Sequence, residues 1–594
     1  MYIEQINSPK DLKQLTAEQM TVLAGEIRQA LLNRLSTCGG HIGPNLGMVE
    51  ATIALHFVFD SPKDKLVFDV SHQCYTHKIL TGRKEAFLDP AKYASVSGYT
   101  NPYESEHDFF TIGHTSTSVS LACGLAKARD LKRDSENVIA VIGDGSLSGG
   151  EAYEGLSNAA EMGTNLIIVV NDNDMSIAEN HGGLYGNLRQ LRESKGEAPC
   201  NFFKSLGLDY LYVDEGNDIS ALIAAFRQVK DASHPVVVHI HTQKGKGYAF
   251  AEQNREKYHW GGPFNLQTGE PKNRSTAEDY GDLTGRFLLE EMAKDPTLVA
   301  ISSGTPTVLG FTPERRQQAG RQFVDVGIAE GHAVTFSAGL AAEGMVPFCN
   351  IYSSFMQRAY DNVIHDVALQ GLHVVMCLDR AGLVGEDGAT HHGVFDLAGL
   401  LPVPGLTIAS PLNEVELRNL MFTALKTPGP FVIRYPRGKG VTPDWRRPME
   451  LLPIGKGQIL REGDEIALLT LGPVGNDAAW AAEQMAAEGV SVLHADLRFA
   501  KPLDEELLHR IGRAFTQVVT VEDGVIEGGV GEAVLAFFNA HGYPCRVTSL
   551  GIQDRFIPHG TVDQLKAMCG YDRQGILQTL RQVHNATHGP SAQN

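Results

Sequence analysis

The chain has 594 residues, of which 43% are hydrophobic and 20% charged, and it carries a net charge of −19. That composition excludes a disordered, collagenous or coiled-coil chain. The acidic balance argues against nucleic acid or an anionic membrane as the main partner. At roughly 150 residues per domain, the length suggests about three or four domains.

No window reaches the roughly 18 consecutive apolar residues of a membrane span. The opening MYIEQINSPKDLKQL lacks the apolar core of a signal peptide. The eight cysteines (Cys38, Cys74, Cys123, Cys200, Cys349, Cys377, Cys545, Cys569) are scattered, with no Cys-x-x-Cys pair. They read as thiols in a reducing compartment, so a cytoplasmic protein is expected.

Short Val/Ile/Leu-rich runs recur along the chain. In order they are NVIAVIGDG (137–145), NLIIVVNDN (165–173), PVVVHIHT (235–242), HVVMCLD (373–379), EIALLTLG (465–472) and QVVTVED (517–523). Continuous apolar runs of this kind suit strands buried on both faces of a parallel sheet. Helical patterns such as EVELRNLMFTAL (414–425) and AAWAAEQMAAEG (478–489) alternate with them. The alternation predicts an α/β fold of doubly wound domains. Polar, Gly/Pro-rich stretches at 251–282 and 436–453 cut the chain into 1–275, 276–440 and 450–594, with a frayed tail from Asn585.

In doubly wound sheets, ligands sit beyond the carboxyl ends of the strands. Gly143-Asp144-Gly145 ends one run and Asn173 ends the next, 173 − 144 = 29 residues on. That is enough for one strand-helix-strand crossover. A carboxylate and an amide oxygen are hard ligands for a Mg²⁺ that also holds a diphosphate, and the glycines let backbone N–H groups approach phosphate oxygens. The spacing is the fingerprint of a thiamine-diphosphate site; Asp-Gly alone is more often a plain turn. Glu330, in DVGIAEGH (325–332), opens a helix-like segment. A carboxylate there either serves thiamine diphosphate against its aminopyrimidine N1′ or simply complements the helix dipole.

Histidines form the third signal: His41, His72, His77, His114, His259 and the pair His391-His392 all lie in glycine-rich or strand-end contexts. Such residues either satisfy the core or move protons, and none has the helical spacing of a zinc pair. Arg380 and Arg437 follow strand-like runs and read as surface ion pairs or as a phosphate clamp. The glycines of EGGVGEAV (527–534) lack a Walker lysine and read as a packing turn.

These motifs, with DVSHQCYTHKILTGR, ESEHDFFTIGHTSTSVS, NDNDMSIAEN, KGKGYAFAE, YSSFMQRAYD, DRAGLVGEDGATHHGVFDL and RYPRG, run nearly end to end. The chain resembles the 1-deoxy-D-xylulose-5-phosphate synthases, thiamine-diphosphate enzymes of the transketolase superfamily. The resemblance implies a diphosphate-binding domain (1–275), an aminopyrimidine-binding domain (276–440) and a C-terminal transketolase-like domain (450–594). It implies condensation of pyruvate, with loss of CO₂, onto glyceraldehyde 3-phosphate, with thiamine diphosphate and Mg²⁺, in a homodimer.

Carried over by motif, His72, Gly113, His114, Thr115, Gly145, Ser146, Tyr248, Phe355 and Arg358 touch the cofactor. Asp144, Asn173 and the Met175 carbonyl hold the metal, and Glu330 meets N1′. His41, His259, Tyr352, Asp387 and His391 line the substrate pocket, and Arg380 and Arg437 bind the acceptor phosphate. The chain departs from the family in His41-Ile-Gly-Pro44, in Gly331 where Gln is usual, and in a shortened 180–214 segment. These departures keep a second reading open, a transketolase-like or acyloin-forming enzyme with another donor or acceptor. A catalytically idle metabolite-binding paralogue is the third.

Overall fold

The computed structural model describes residues 1–272, 278–442 and 444–588. Two compact units emerge: Met1–Thr276 with Gly327–Ala329, and Ala277–Val326 with Glu330–Asn594. The expected break at 275/276 falls in 273–277, outside the described residues, as does position 443 of the second expected linker.

The first unit holds a five-stranded sheet in the order Lys65–Phe68, Val138–Gly143, Leu166–Asp172, Pro235–His241, Asp209–Val213, parallel throughout. Its three inner strands are the apolar runs of the sequence. Alternate residues feed two separate cores, because successive side chains of a strand point to opposite faces. Ile139, Val141, Ile167 and Val169 pack with helices Ala17–Cys38, Val49–Val58 and Ile219–Val229. Val138, Ala140, Ile142, Ile168 and Val170 pack with Ser118–Lys132, Gly150–Glu161 and Gly183–Glu193. A small antiparallel ribbon pairs Gly40–His41 with Trp260–Gly261.

The second unit holds two sheets. One has seven strands in the order Phe499–Lys501, Thr407–Ala409, Phe431–Arg434, Val375–Asp379, Val346–Tyr352, Leu298–Ser302, Phe323–Asp325. The other has five, in the order Gln458–Arg461, Val492–Asp496, Ile466–Thr470, Gln517–Val525, Arg546–Ile552. Both are parallel except at one edge strand each, Phe499–Lys501 and Gln458–Arg461. The helical patterns at 414–425 and 478–489 form helices Glu414–Lys426 and Val474–Ala487. Phe499–Lys501 lies in the stretch expected to form the last domain, yet it completes the sheet of the preceding one by pairing with Thr407–Ala409.

One buried cation ties these two sheets together. Arg434 Nε donates to Asp396 Oδ2 at 2.8 Å and Nη1 to Asp523 Oδ1 at 2.6 Å. The EGGVGEAV glycines do form a packing turn. Val530 and Gly531 donate their N–H groups to the Glu522 carboxylate at 2.9 and 2.8 Å, and a Cβ on Gly531 would stand 2.5 Å from Ser549 Oγ. Of the tail expected from Asn585, the described part is helical, because helix Arg573–His588 continues to His588. Residues 589–594 lie outside those described. No described helix is long and apolar enough to cross a membrane.

Candidate active site

In the first unit, Asp144 follows strand Val138–Gly143 and opens the helical turn Gly145–Ser148. Its Oδ2 accepts the Met175 N–H at 2.9 Å and Asn180 Nδ2 at 2.7 Å. The parallel crossover thus brings Asp144 to the turn after Leu166–Asp172 that carries Asn173 and Met175. Asn173 Oδ1 is buried and, among the described residues, has no hydrogen-bond partner. A Cβ on Gly145 would lie 2.7 Å from Ser176 Oγ, so only glycine fits there.

Lys244, from the KGKGY loop, is buried and donates to Ser176 O at 2.5 Å. Burial, with Asp172 nearby, pushes the Asp144 carboxyl up to about 7. Burial pushes the Lys244 amine down to about 7 against the pull of Asp144. Each group lacks enough opposite charge to stay ionised in a dry site. A divalent cation at Asp144 and Asn173, with a diphosphate at Lys244, restores both charges. The donor set therefore fits Mg²⁺ and a diphosphate, with one carboxylate, one amide oxygen and backbone carbonyls as hard ligands. Among the described residues no three His, Cys, Asp or Glu side chains cluster into a metal site of their own.

Three imidazoles meet in the same unit. The His41 and His72 rings are 5.0 Å apart, His72 and His259 5.3 Å, and His41 and His259 5.8 Å. Burial and the nearby Lys244 hold His259 well below the usual imidazole range, so it works as a neutral ring. Asn45 links the group: its Nδ2 donates to His41 O and to His72 O, both at 2.8 Å, while its Oδ1 accepts the Tyr75 N–H at 3.0 Å. The altered 41–47 loop thus serves as a frame for the histidines.

The Gly113-His114-Thr115 loop is held from both ends. Asp69 accepts the Ser116 and Ser118 N–H groups at 2.8 and 2.9 Å, and Ser71 Oγ donates to Ile112 O at 3.0 Å. Val70 and Ser71 both adopt positive φ, at 56° and 66°, immediately before His72. Backbone strain of this kind persists only where the surroundings enforce it. Ser146 O accepts from Ser116 Oγ at 2.7 Å, which joins this loop to the Asp144 turn. His77 belongs to a buried chain instead: it contacts His56 at 2.8 Å and Asp108 at 2.8 Å, and Asp108 is forked by Arg83. Tyr248 packs against Phe250, Tyr258 and Phe264, and its hydroxyl donates to Leu266 O at 3.1 Å. The structure gives that side chain a packing role.

In the second unit, Glu330 is the first residue of helix Glu330–Ala342 and is buried. Burial raises its pKa, opposed by Arg358, whose Nη1 stands 4.0 Å from Oε2. Phe355 stacks on Tyr352 with centroids 4.8 Å apart and planes 6° apart, and His391 meets Phe355 edge-on at 5.4 Å. Arg380 lies over the Tyr352 ring at 4.3 Å and pairs with Asp379 at 2.6 Å. Asp387 accepts from Arg437 Nη1 at 3.2 Å. Burial raises the Tyr352 pKa, and Arg380, Asp379, Arg437 and Asp387 all act on that hydroxyl. Arg380 thus covers the aromatic wall directly, and Arg437, paired with Asp387, acts on the Tyr352 hydroxyl electrostatically. His392 is structural: its Nδ1 accepts the Val384 N–H and its Nε2 donates to Pro558 O. At Gly331, a Cβ would lie 3.0 Å from Asn362 Oδ1, so a larger side chain there would require the Asn362 amide to shift by a few tenths of an ångström.

Sequence reasoning missed Asn45, Asp69 and Lys244. Asp69 and Lys244 each follow an apolar run (KLVFD and PVVVHIHT), so their strand-end positions were a usable signal. Asn45 had none, because its role depends on two carbonyls brought together by the fold.

The first unit carries donors suited to a metal and a diphosphate, and the second carries a buried carboxylate and a stacked aromatic pair. This is the thiamine-dependent class of α/β protein. The description "Transketolase, pyrimidine binding domain" matches residues 277–441, and "Transketolase, C-terminal domain" matches 455–576. The description "1-deoxy-D-xylulose-5-phosphate synthase" matches residues 3–200 and 193–242. Relatives of that name from Parabacteroides distasonis and Porphyromonas gingivalis are each 46% identical, over 98% of this chain and 98% of theirs. One from Symbiobacterium thermophilum is 44% identical over 97% of this chain and 94% of its own. The chain belongs to the 1-deoxy-D-xylulose-5-phosphate synthase family.

Proposed function

We propose that the chain joins pyruvate, with loss of CO₂, to D-glyceraldehyde 3-phosphate and releases 1-deoxy-D-xylulose 5-phosphate, using thiamine diphosphate and Mg²⁺. The observation that carries this reading is the pair of buried groups Asp144 and Lys244 with the Asn173 amide oxygen, which is buried and, among the described residues, has no hydrogen-bond partner. Family membership over nearly the whole chain supports the choice of reaction.

Bound thiamine diphosphate supplies a carbon nucleophile and an electron sink for decarboxylation. Asp144, Asn173 and the Met175 carbonyl hold Mg²⁺, and Lys244 neutralises the diphosphate. Gly113, His114, Thr115, Gly145 and Ser146 line its path. Glu330, whose pKa is raised by burial, would meet the aminopyrimidine N1′ and move a proton there, and Phe355 would form the wall against the ring. His41, His72 and His391, with His259 held neutral by burial, donate to or accept from the oxygens of pyruvate and the aldehyde. Arg380 and Arg437 hold the acceptor phosphate, and Asp387 aims Arg437. A homodimer in the cytoplasm completes the proposal.

The test is CO₂ release from pyruvate by the purified protein with both cofactors, with and without glyceraldehyde 3-phosphate. Release that rises strongly with the aldehyde and equals the deoxyxylulose phosphate formed is the expected result. No release in either condition excludes pyruvate as donor and favours the transketolase-like alternative.

The phosphate clamp makes its own prediction. Charge-assisted hydrogen bonds are worth about 1.5–3 kcal/mol. Arg437→Ala is therefore expected to raise KM for glyceraldehyde 3-phosphate by about 10–100-fold. KM for unphosphorylated glyceraldehyde should stay unchanged. Equal losses on both aldehydes would remove Arg437 from the phosphate site.

A further inference from the structure

Three cations converge on the turn that carries Asn173. Arg192, on helix Gly183–Glu193, donates from Nη1 to both oxygens of Asp172 at 2.8 and 2.6 Å, and from Nη2 to Asp174 Oδ1 at 2.7 Å. Arg255 Nη1 donates to Asn173 O at 2.9 Å. Lys244 holds Ser176 O. One guanidinium thus spans the residue before Asn173 and the residue after it.

The rest of the turn depends on the same carboxylate. Asp172 also accepts His239 Nε2 at 2.9 Å and the Asp174 N–H at 3.0 Å, and Asp174 sits at φ 56°, in the left-handed region that few L residues other than Asn and Asp adopt readily. Rotation of either peptide flanking Asn173 breaks one arm of the fork. Arg192 is nearly buried, whereas the Asp174 side chain is 55% exposed. Released from Arg192, Asp174 faces water and the turn gains freedom. The fork also neutralises two carboxylates that would otherwise compete with Asp144 for a cation.

We propose that Arg192 is a positioning residue that, by clamping Asp172 and Asp174, aims the Asn173 amide oxygen at the cofactor's Mg²⁺ and makes helix Gly183–Glu193 a determinant of metal affinity. This rests on the reading of Asp144 and Asn173 as metal donors. Residues that orient metal ligands from behind are typically worth about 10–100-fold in metal affinity.

The experiment titrates Mg²⁺ into the full-length protein saturated with thiamine diphosphate, followed calorimetrically, for the wild type, Arg192→Gln, Arg192→Lys and Asp174→Asn. The melting temperature of each metal-free protein is measured alongside. Arg192→Gln is expected to raise the Mg²⁺ Kd by about 10-fold or more, and Arg192→Lys to recover part of the loss. Asp174→Asn alters only the exposed arm. It is expected to raise Kd by about 3–10-fold with no change in metal-free melting temperature, so it decides the matter even if Arg192→Gln does not fold. Kd values within about twofold of wild type in both Asp174→Asn and the folded Arg192 variants, or tighter ones, overturn the proposal. A wild-type protein that takes up neither Mg²⁺ nor thiamine diphosphate overturns the underlying site reading, and this inference with it.

Discussion

Glu330→Ala is expected to lower product formation by about 10³-fold or more while the protein stays folded. Glu330 is the one carboxylate that opens helix Glu330–Ala342, and burial raises its pKa. A buried carboxyl of this kind is placed to exchange a proton with a hydrogen-bonded base. Positioned proton transfer contributes about 10²–10⁴-fold to an enzymatic rate. Alanine removes the acid but leaves the helix, since alanine is the best helix former. Glu330→Gln preserves size and still cannot exchange the proton, so it should be nearly as slow. Steady-state rates read the loss, and circular dichroism with a thermal melt reads the fold. Either variant working within tenfold of wild type would remove Glu330 from the chemistry.

Asp523→Ala is expected to cost about 3–5 kcal/mol of stability, because it leaves the Arg434 guanidinium buried with half its countercharge gone. Arg434 is 1% exposed, and among the described residues the other carboxylate hydrogen-bonded to its fork is Asp396. The pair joins strand Phe431–Arg434 to strand Gln517–Val525, so the loss should appear as weakened association of the two sheets of the second unit. Differential scanning calorimetry should show a first transition lowered on the order of 10 °C. Asp523→Asn keeps the shape and a hydrogen-bond acceptor and should lose less. A melt unchanged from wild type would show that the triad contributes nothing net, as happens when desolvation cancels attraction.

The elements most readily read from the sequence were those whose physics is local. Leu166–Val170 is apolar at every position because both faces of its strand are covered, so the run announces itself without knowledge of its neighbours. The placement of Asp144 and Asn173 at the ends of neighbouring strands was legible for a related reason: a spacing of 29 residues measures one crossover. Glu330 was legible only as one of two roles, because a carboxylate at a helix start has a structural use as well.

Other features depend on residues far apart in the chain. Asn45 reads as a loop residue until the fold places His41 O and His72 O within reach of one amide. Arg192 reads as a solvated helix residue until the helix docks against Asp172 and Asp174. Phe499–Lys501 has strand character, but its choice of sheet depends on an edge offered by Thr407–Ala409. His77, one of several similar histidines, became structural through His56 and Asp108. The sequence by itself therefore determined the α/β class, the strands and the residues at their carboxyl ends, since apolar periodicity and strand-end chemistry are local. Only the tertiary structure decided which polar side chains brace those residues, because burial and the pairing of distant groups set their charge and geometry.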